Sequence, residues 1–250
     1  MGKLWPKISK IRFRRTRFKL TMLWSRVRKK PLDVRLRLLF NFWAENKRGE
    51  QMERGHLSLT ERTIQRMGLF PDDRILDLAC GEGLATRIVA EGLLSGRGGS
   101  VLGVDISDEM LRRAQNKSSH LQNVSFVCGS AESIPLQDGF FTKVLSVEAF
   151  YYFEHQERVL DELLRVLAPT GWVFLAICHY TDYPESLDFV DQLQVPVHIR
   201  SAAEYKNMMQ RGGWEQVEVE ELVWDSKTRM QRAGHDRALL LIGQRPGVQQ

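Results

Sequence analysis

The chain has 250 residues, 43% hydrophobic and 27% charged, with no apolar run of about 18 residues, which argues against a disordered tail, a membrane-spanning helix and a multidomain assembly. Cys80, Cys128 and Cys178 lie far apart in the chain, so neither a disulfide framework nor a cysteine zinc site is indicated, and a reduced, cytoplasmic compartment is expected. The net charge of +5 is split: residues 1–40 hold fourteen Lys or Arg and one acid, Asp33, for a local +13, and the rest of the chain carries −8.

The expected organisation is therefore a basic N-terminal arm over residues 1–40 and a mildly acidic body over 41–250. Within the arm Ile8, Ile11, Phe18 and Met22 share one helical face, interrupted by Arg15, while Phe13, Leu20 and Trp24 point elsewhere. Such a weakly amphipathic basic segment fits three roles: peripheral contact with an anionic membrane, a grip on RNA phosphates, or a solvated extension. It has no secretory apolar core, and Pro6 breaks the myristoylation pattern that Gly2 would begin. Phe40, Phe42, Trp43, Met52, His56 and the run Leu57 to Met67 read as helical material ahead of the body.

From about residue 72, short Val, Ile and Leu runs alternate with amphipathic stretches, the pattern of strands and crossover helices in a parallel sheet. Strands are expected at Arg74 to Ala79, Ser100 to Asp105, Val124 to Cys128, Lys143 to Val147, Trp172 to Ile177, Gln216 to Val223 and Arg237 to Ile242. Helices are expected at Gly83 to Leu94, Asp108 to Lys117, Gln156 to Leu167 and Ala202 to Arg211, the third closed by Pro169 and Gly171. Two strands follow the last helix without room for a crossover, so one should run antiparallel. The fold class is α/β: a doubly wound, seven-stranded, mostly parallel sheet with an antiparallel terminal strand.

The first strand runs into a turn carrying Ala79, Gly81 and Gly83, and Asp105 closes the second strand 22 residues beyond Gly83. A glycine-bearing turn before a helix lets backbone N–H groups approach a ligand, and a carboxylate at that distance accepts hydrogen bonds from ribose hydroxyls. An adenosine-containing cofactor is indicated. Thr86 stands where a dinucleotide fingerprint needs its third glycine, which disfavours NAD, and Asp77 inside the strand suits a cationic group such as a methionine amino group better than a pyrophosphate.

These residues resemble the class I S-adenosylmethionine (SAM)-dependent methyltransferases. Asp77-Leu-Ala-Cys-Gly-Glu-Gly83 is similar to the first motif and Gly103-Val-Asp-Ile-Ser107 to the second; Gly129 to Pro135 resembles the adenine-flanking segment, Ser146 to Phe150 the motif after the fourth strand, and Leu163 to Gly171 the turn before the fifth. The order of the matches is that of the family. The resemblance implies SAM as cofactor, with Asp77, Ala79, Gly81 and Gly83 around the methionine portion, Asp105 on the ribose, Ala131 and Glu132 at the adenine edge, and Ile106 and Glu148 completing the set. It also implies that residues of about 41–70 form a lid, from which His56 could reach the active crevice. Two departures are Ala79 for the commoner first glycine and Thr170 for a glycine in the later turn.

Methyl transfer from a sulfonium is an in-line displacement that positioning can promote without a metal. If the acceptor loses a proton, a base is needed, and His179 beyond the fifth strand is the first candidate, with His155 and Tyr151 beyond the fourth as further catalytic candidates. Tyr151 and Tyr152 could wall the acceptor, Tyr180 follows His179 beyond the fifth strand, and the insertion from His179 to Arg200 offers Tyr183, Phe189 and His198 as pocket residues; His120 and His235 read as surface or turn residues. No Pro-Pro-Tyr string, Pro-flanked nucleophilic cysteine or metal-ligating cluster can be placed. The string from Val147 to Leu167 and the later Ser201 to Tyr205 are similar to the group that includes ubiquinone and menaquinone methyltransferases, and that resemblance implies an apolar acceptor. The expected function is therefore transfer of a methyl group to a small, apolar acceptor, with the O, N or C atom open. The alternatives are an RNA-directed methyltransferase using the arm, and a noncatalytic SAM-binding protein.

Overall fold

The computed structural model describes residues 29–93, 98–187, 195–224 and 236–248 of the chain. Most of the basic arm, Leu94, Phe189 and His235 lie outside the described residues. Two helices come first, α1 (Leu32–Glu45) and α2 (Arg48–Met67). The series β1 (Arg74–Leu78), α3 (Leu84–Leu93), β2 (Ser100–Asp105), α4 (Asp108–Lys117), β3 (Val124–Cys128), β4 (Phe141–Val147), α5 (Gln156–Val166), β5 (Leu167–Ile177), α6 (Ala202–Arg211), β6 (Glu215–Val223) and β7 (Arg237–Gln244) follows. A 3₁₀ turn, Phe150–Tyr152, stands between β4 and α5.

The seven strands form one sheet in the order β3-β2-β1-β4-β5-β7-β6. All neighbours are parallel except β7, which runs antiparallel to both β5 and β6. The chain-terminal strand is thus the reversed one, as the missing crossover requires, yet it sits inside the sheet rather than at its edge. Successive strand residues feed opposite layers, as period-two alternation demands. Leu76, Val144, Val173 and Leu175 join a core with α1, α5 and α6, and Ile75, Leu145, Phe174 and Ala176 join a second core with α2 and α3. Both faces are covered, which is why the central strands read as continuous apolar runs.

Three sequence expectations shift. Helix α1 runs through residue 40, where the arm was expected to end, because Leu32, Leu36 and Leu39 recur at helical spacing and are buried in the first core. Helix α5 stops at Val166, and Pro169 and Gly171 lie inside β5 rather than in a turn ahead of it. The strand accommodates them by a register shift against β4 and by Thr170 at φ +64°.

Candidate functional site

Parallel strands deliver their carboxyl ends to one rim of the sheet, and β1, β2 and β4 there open onto a cavity of about 740 Å³. Leu78, Ala79 and Gly81 after β1, Asp105 and Ile106 at the end of β2, Gly129 to Glu132 after β3, and Val147 to Ala149 after β4 line it from the sheet side. From above, α1 and α2 contribute Leu36, Phe40, Trp43, Arg48, Met52 and His56.

The turn after β1 is built from unusual backbone. Ala79, Gly81 and Gly83 have φ of +58°, +55° and +84°, a region that glycine occupies freely and alanine at a cost of about 1 kcal/mol or more. Gly81 donates its N–H to Asp105 Oδ2 at 2.9 Å, and Ser107 donates to Oδ1 at 2.8 Å. Each oxygen keeps a lone pair for a ligand hydroxyl. Burial raises the Asp105 carboxyl to about 6 against the lowering effect of those backbone donors. A Cβ on Gly81 would meet no heavy atom within 4 Å, so this turn borders open cavity. The donor set, the carboxylate and the glycine cradle fit a nucleoside-bearing cofactor.

Two cofactor candidates do not face that space. Asp77 is buried and accepts the Thr86 hydroxyl at 2.5 Å, and burial drives its carboxyl up to about 7. It braces the turn from beneath. Gly83 lies against Ala114, where an added Cβ would sit 3.1 Å from the Ala114 Cβ, and its N–H donates to the Cys80 carbonyl. Close packing of α3 explains this glycine.

Glu148, just past β4, has φ +60°. Its Oε1 accepts the Cys178 N–H at 2.5 Å and its Oε2 the Tyr151 hydroxyl at 3.1 Å. Burial, with the Glu148 charge adding, pushes the Tyr151 phenol well above its usual range, so Tyr151 acts as a donor and a wall. Phe40 meets Trp43 and Tyr152 edge to face, with centroids 5.4 and 5.3 Å apart. His179 lines the cavity but is 1% exposed, with Nδ1 2.7 Å from the Ser186 carbonyl. His155 stands exposed at the rim, its backbone N–H directed to Glu132 Oε1 at 3.4 Å.

Tyr180, Tyr183 and His198 do not line the cavity. The Tyr180 hydroxyl donates to Glu221, and His198 straps the 3₁₀ turn through its backbone, donating to Tyr151 O and accepting from Gln156. His56, expected to be able to reach the crevice from the N-terminal helices, does line the cavity, and its Nε2 lies 3.9 Å from Glu148 Oε2. It is the ninth residue of α2, and only the tertiary fold brings that helix beside Glu148.

The two N-terminal helices are fixed to the turns after β1 and β2 by polar and charged contacts. Glu82, with its side chain fully buried, pairs with Lys117 at 2.6 Å, and Lys117 and Arg87 reach Glu53 of α2 at 2.7 and 2.8 Å. Asn41 of α1 accepts from the Ser107 hydroxyl at 2.5 Å and donates to Asp108 at 2.9 Å.

Comparison with known proteins finds relatives and folds similar to this chain. Residues 76–175 match the family model described as a methyltransferase domain. The chain is 27% identical over 168 residues to a phthiotriol/phenolphthiotriol dimycocerosates methyltransferase of Mycobacterium ulcerans, covering 67% of this chain and 55% of that protein. It is 34% identical over 125 residues to the demethylmenaquinone methyltransferase of Lactococcus lactis, covering 49% and 48%. The chain therefore spans about half the length of the curated relatives it matches. Among solved structures, a chain of the complex between the Haloferax volcanii Trm112 methyltransferase activator and a protein described as a methyltransferase superposes with TM-score 0.73 at 26% identity, covering 83% of this chain and 97% of that one.

Proposed function

We infer that this chain, which carries a class I SAM-dependent methyltransferase domain, transfers a methyl group to a small, apolar acceptor. The observation that supports it most is the continuity of one cavity, from the Gly81 and Asp105 cradle to the aromatic chamber of Phe40, Trp43 and Tyr152. A noncatalytic binder would be expected to close that chamber.

When bound, SAM supplies an electrophilic methyl on a sulfonium. Asp105 holds the ribose hydroxyls, Ala79 and Gly81 present backbone to the methionine portion, and Ile106, Ala131 and Glu132 border the adenine. Glu148 stands where the cofactor and acceptor chambers meet. The lid helices exclude water and hold the acceptor in line, which is the main source of rate in a displacement of this kind.

The test is calorimetric titration of the full chain with SAM and S-adenosylhomocysteine, repeated on Asp105→Ala. Loss of two charge-assisted hydrogen bonds should weaken binding by at least about tenfold; unchanged affinity would exclude Asp105 from the cofactor site. The +13 arm is proposed to add peripheral contact with an anionic membrane, which brings a lipid-like acceptor to the cavity. Deleting residues 1–40 should then reduce partitioning onto anionic liposomes, although the cut removes the start of α1 and a charge-neutralised arm is the cleaner variant.

A further inference from the structure

We propose that His56 is the general base of the reaction, taking the proton of an acceptor hydroxyl, with Glu148 as counter-charge to the imidazolium it becomes. The inference rests on the methyltransferase reading above and names the acceptor's reacting group as O–H.

The geometry comes from four separate parts of the chain. Helix α2 hangs His56 into the cavity, where its side chain is 16% exposed. The Glu148 carboxylate opposite, 6% exposed and 3.9 Å away, is fixed at both oxygens by Cys178 N–H and the Tyr151 hydroxyl. His179 faces the pair from beyond β5, Arg48 from the first turn of α2, and the Trp224 ring packs at 6.1 Å from beyond β6. Glu148 holds a left-handed backbone conformation to keep this place, a strain that structures tolerate where a side chain must be aimed.

The chemistry follows from the environment. Burial holds the imidazole below the usual histidine range against the pull of Glu148, and the nearby His179 and Arg48 act in the same direction as burial. His56 is therefore neutral at pH 7 and able to accept a proton. A hydroxyl is a weak nucleophile until that proton leaves. As the acceptor oxygen bonds to the methyl carbon, the carbon–sulfur bond breaks with its electron pair left on sulfur, and the hydroxyl proton passes to the His56 imidazole. The buried carboxylate then balances the new positive charge, as the orienting acid of a catalytic triad does. His179 is less suited, because one ring nitrogen already meets the Ser186 carbonyl and the ring is almost wholly enclosed.

The full chain saturated with S-adenosylhomocysteine is titrated with 4-nitrophenol, whose phenolate is read by its visible absorption. With His56 as base, the bound phenol ionises at a pH where the free phenol stays protonated. His56→Gln should cut the phenolate fraction by about tenfold or more, roughly one pKa unit or beyond, and Glu148→Gln should cut it less while keeping the side-chain shape. Calorimetry on the same samples reports S-adenosylhomocysteine affinity, which neither variant should abolish. Cofactor binding with no phenolate in the wild type, or phenolate that survives His56→Gln, overturns the assignment of His56. Absence of S-adenosylhomocysteine binding in the wild type would instead overturn the methyltransferase reading, and this inference with it.

Discussion

Gly49→Ala puts the docking of the lid to a sign test. Gly49 stands in the first turn of α2, where replacing glycine by alanine ordinarily stabilises a helix by about 0.5–1 kcal/mol. Here the added Cβ would fall 2.1 Å from Glu82 Oε1 and 2.4 Å from its Cδ. Glu82 is not free to swing aside, because its side chain is fully buried and Oε2 is held by Lys117 at 2.6 Å. Overpacking of this kind costs about 1–3 kcal/mol, and strain on a buried ion pair adds to it. The net expectation is a loss of about 1–2 kcal/mol, a fall in Tm of roughly 3–6 °C for a domain of this size. Glu82→Ala removes all three of the clashing atoms, so in that background Gly49→Ala should recover the ordinary helical gain. Urea unfolding of the four proteins yields a coupling of about 2 kcal/mol. Stabilisation by Gly49→Ala of equal size in both backgrounds would refute the claim that α2 rests on the cofactor turn through Glu82.

Two other substitutions follow from the same geometry. Asp77 binds its proton more tightly when folded, at about 7, than in the unfolded chain, so its contribution is full at acid pH and lost as pH rises from about 4 through about 7. Asp77→Asn should match the wild type near pH 4 and exceed it at pH 9 by an amount on the order of 2–4 kcal/mol; parallel stability–pH curves would show that burial does not raise this carboxyl. Thr170, β-branched, exposed and at φ +64° within β5, should be improved by Thr170→Gly. Relief of about 1–2 kcal/mol less the glycine entropy leaves a net gain of about 0.5–1 kcal/mol in urea unfolding. A loss on Thr170→Gly would mean the threonine side chain holds the strand in some other way.

Much of this was written in local pattern. The apolar runs of β1 to β5, the glycine-bearing turn and the Asp105 spacing each depend on a few adjacent residues, so they could be read in order along the chain. Helix α6 lies where it was expected, near Ala202 to Arg211, and Ser201 and Glu204 form a capping box at its start. Where a single position had two local readings, tertiary contact chose between them. Asp77 reads as a ligand for a cation until Thr86 is seen beneath it. Gly83 reads as a cofactor contact until Ala114 is seen against it. Tyr183 and His198 belong to a polar, aromatic insertion, and only the tertiary structure sets these two residues apart from the cavity.

The sequence by itself determined the sheet, its order of elements and the glycine-bearing turn at its carboxyl rim, because period-two burial and a glycine turn are properties of a few neighbouring residues. Only the tertiary structure decided what stands across the cavity from that rim. His56 meets Glu148 across 92 positions of chain, and Glu53 meets Lys117 across 64. No sequence period records such meetings, since they arise when α1 and α2 are laid over the carboxyl ends of the strands by the burial of Leu32, Leu36, Leu39, Leu59 and Ile64. Hydrophobic burial fixes where those helices lie, and the lid's polar residues reach the site as a consequence of it.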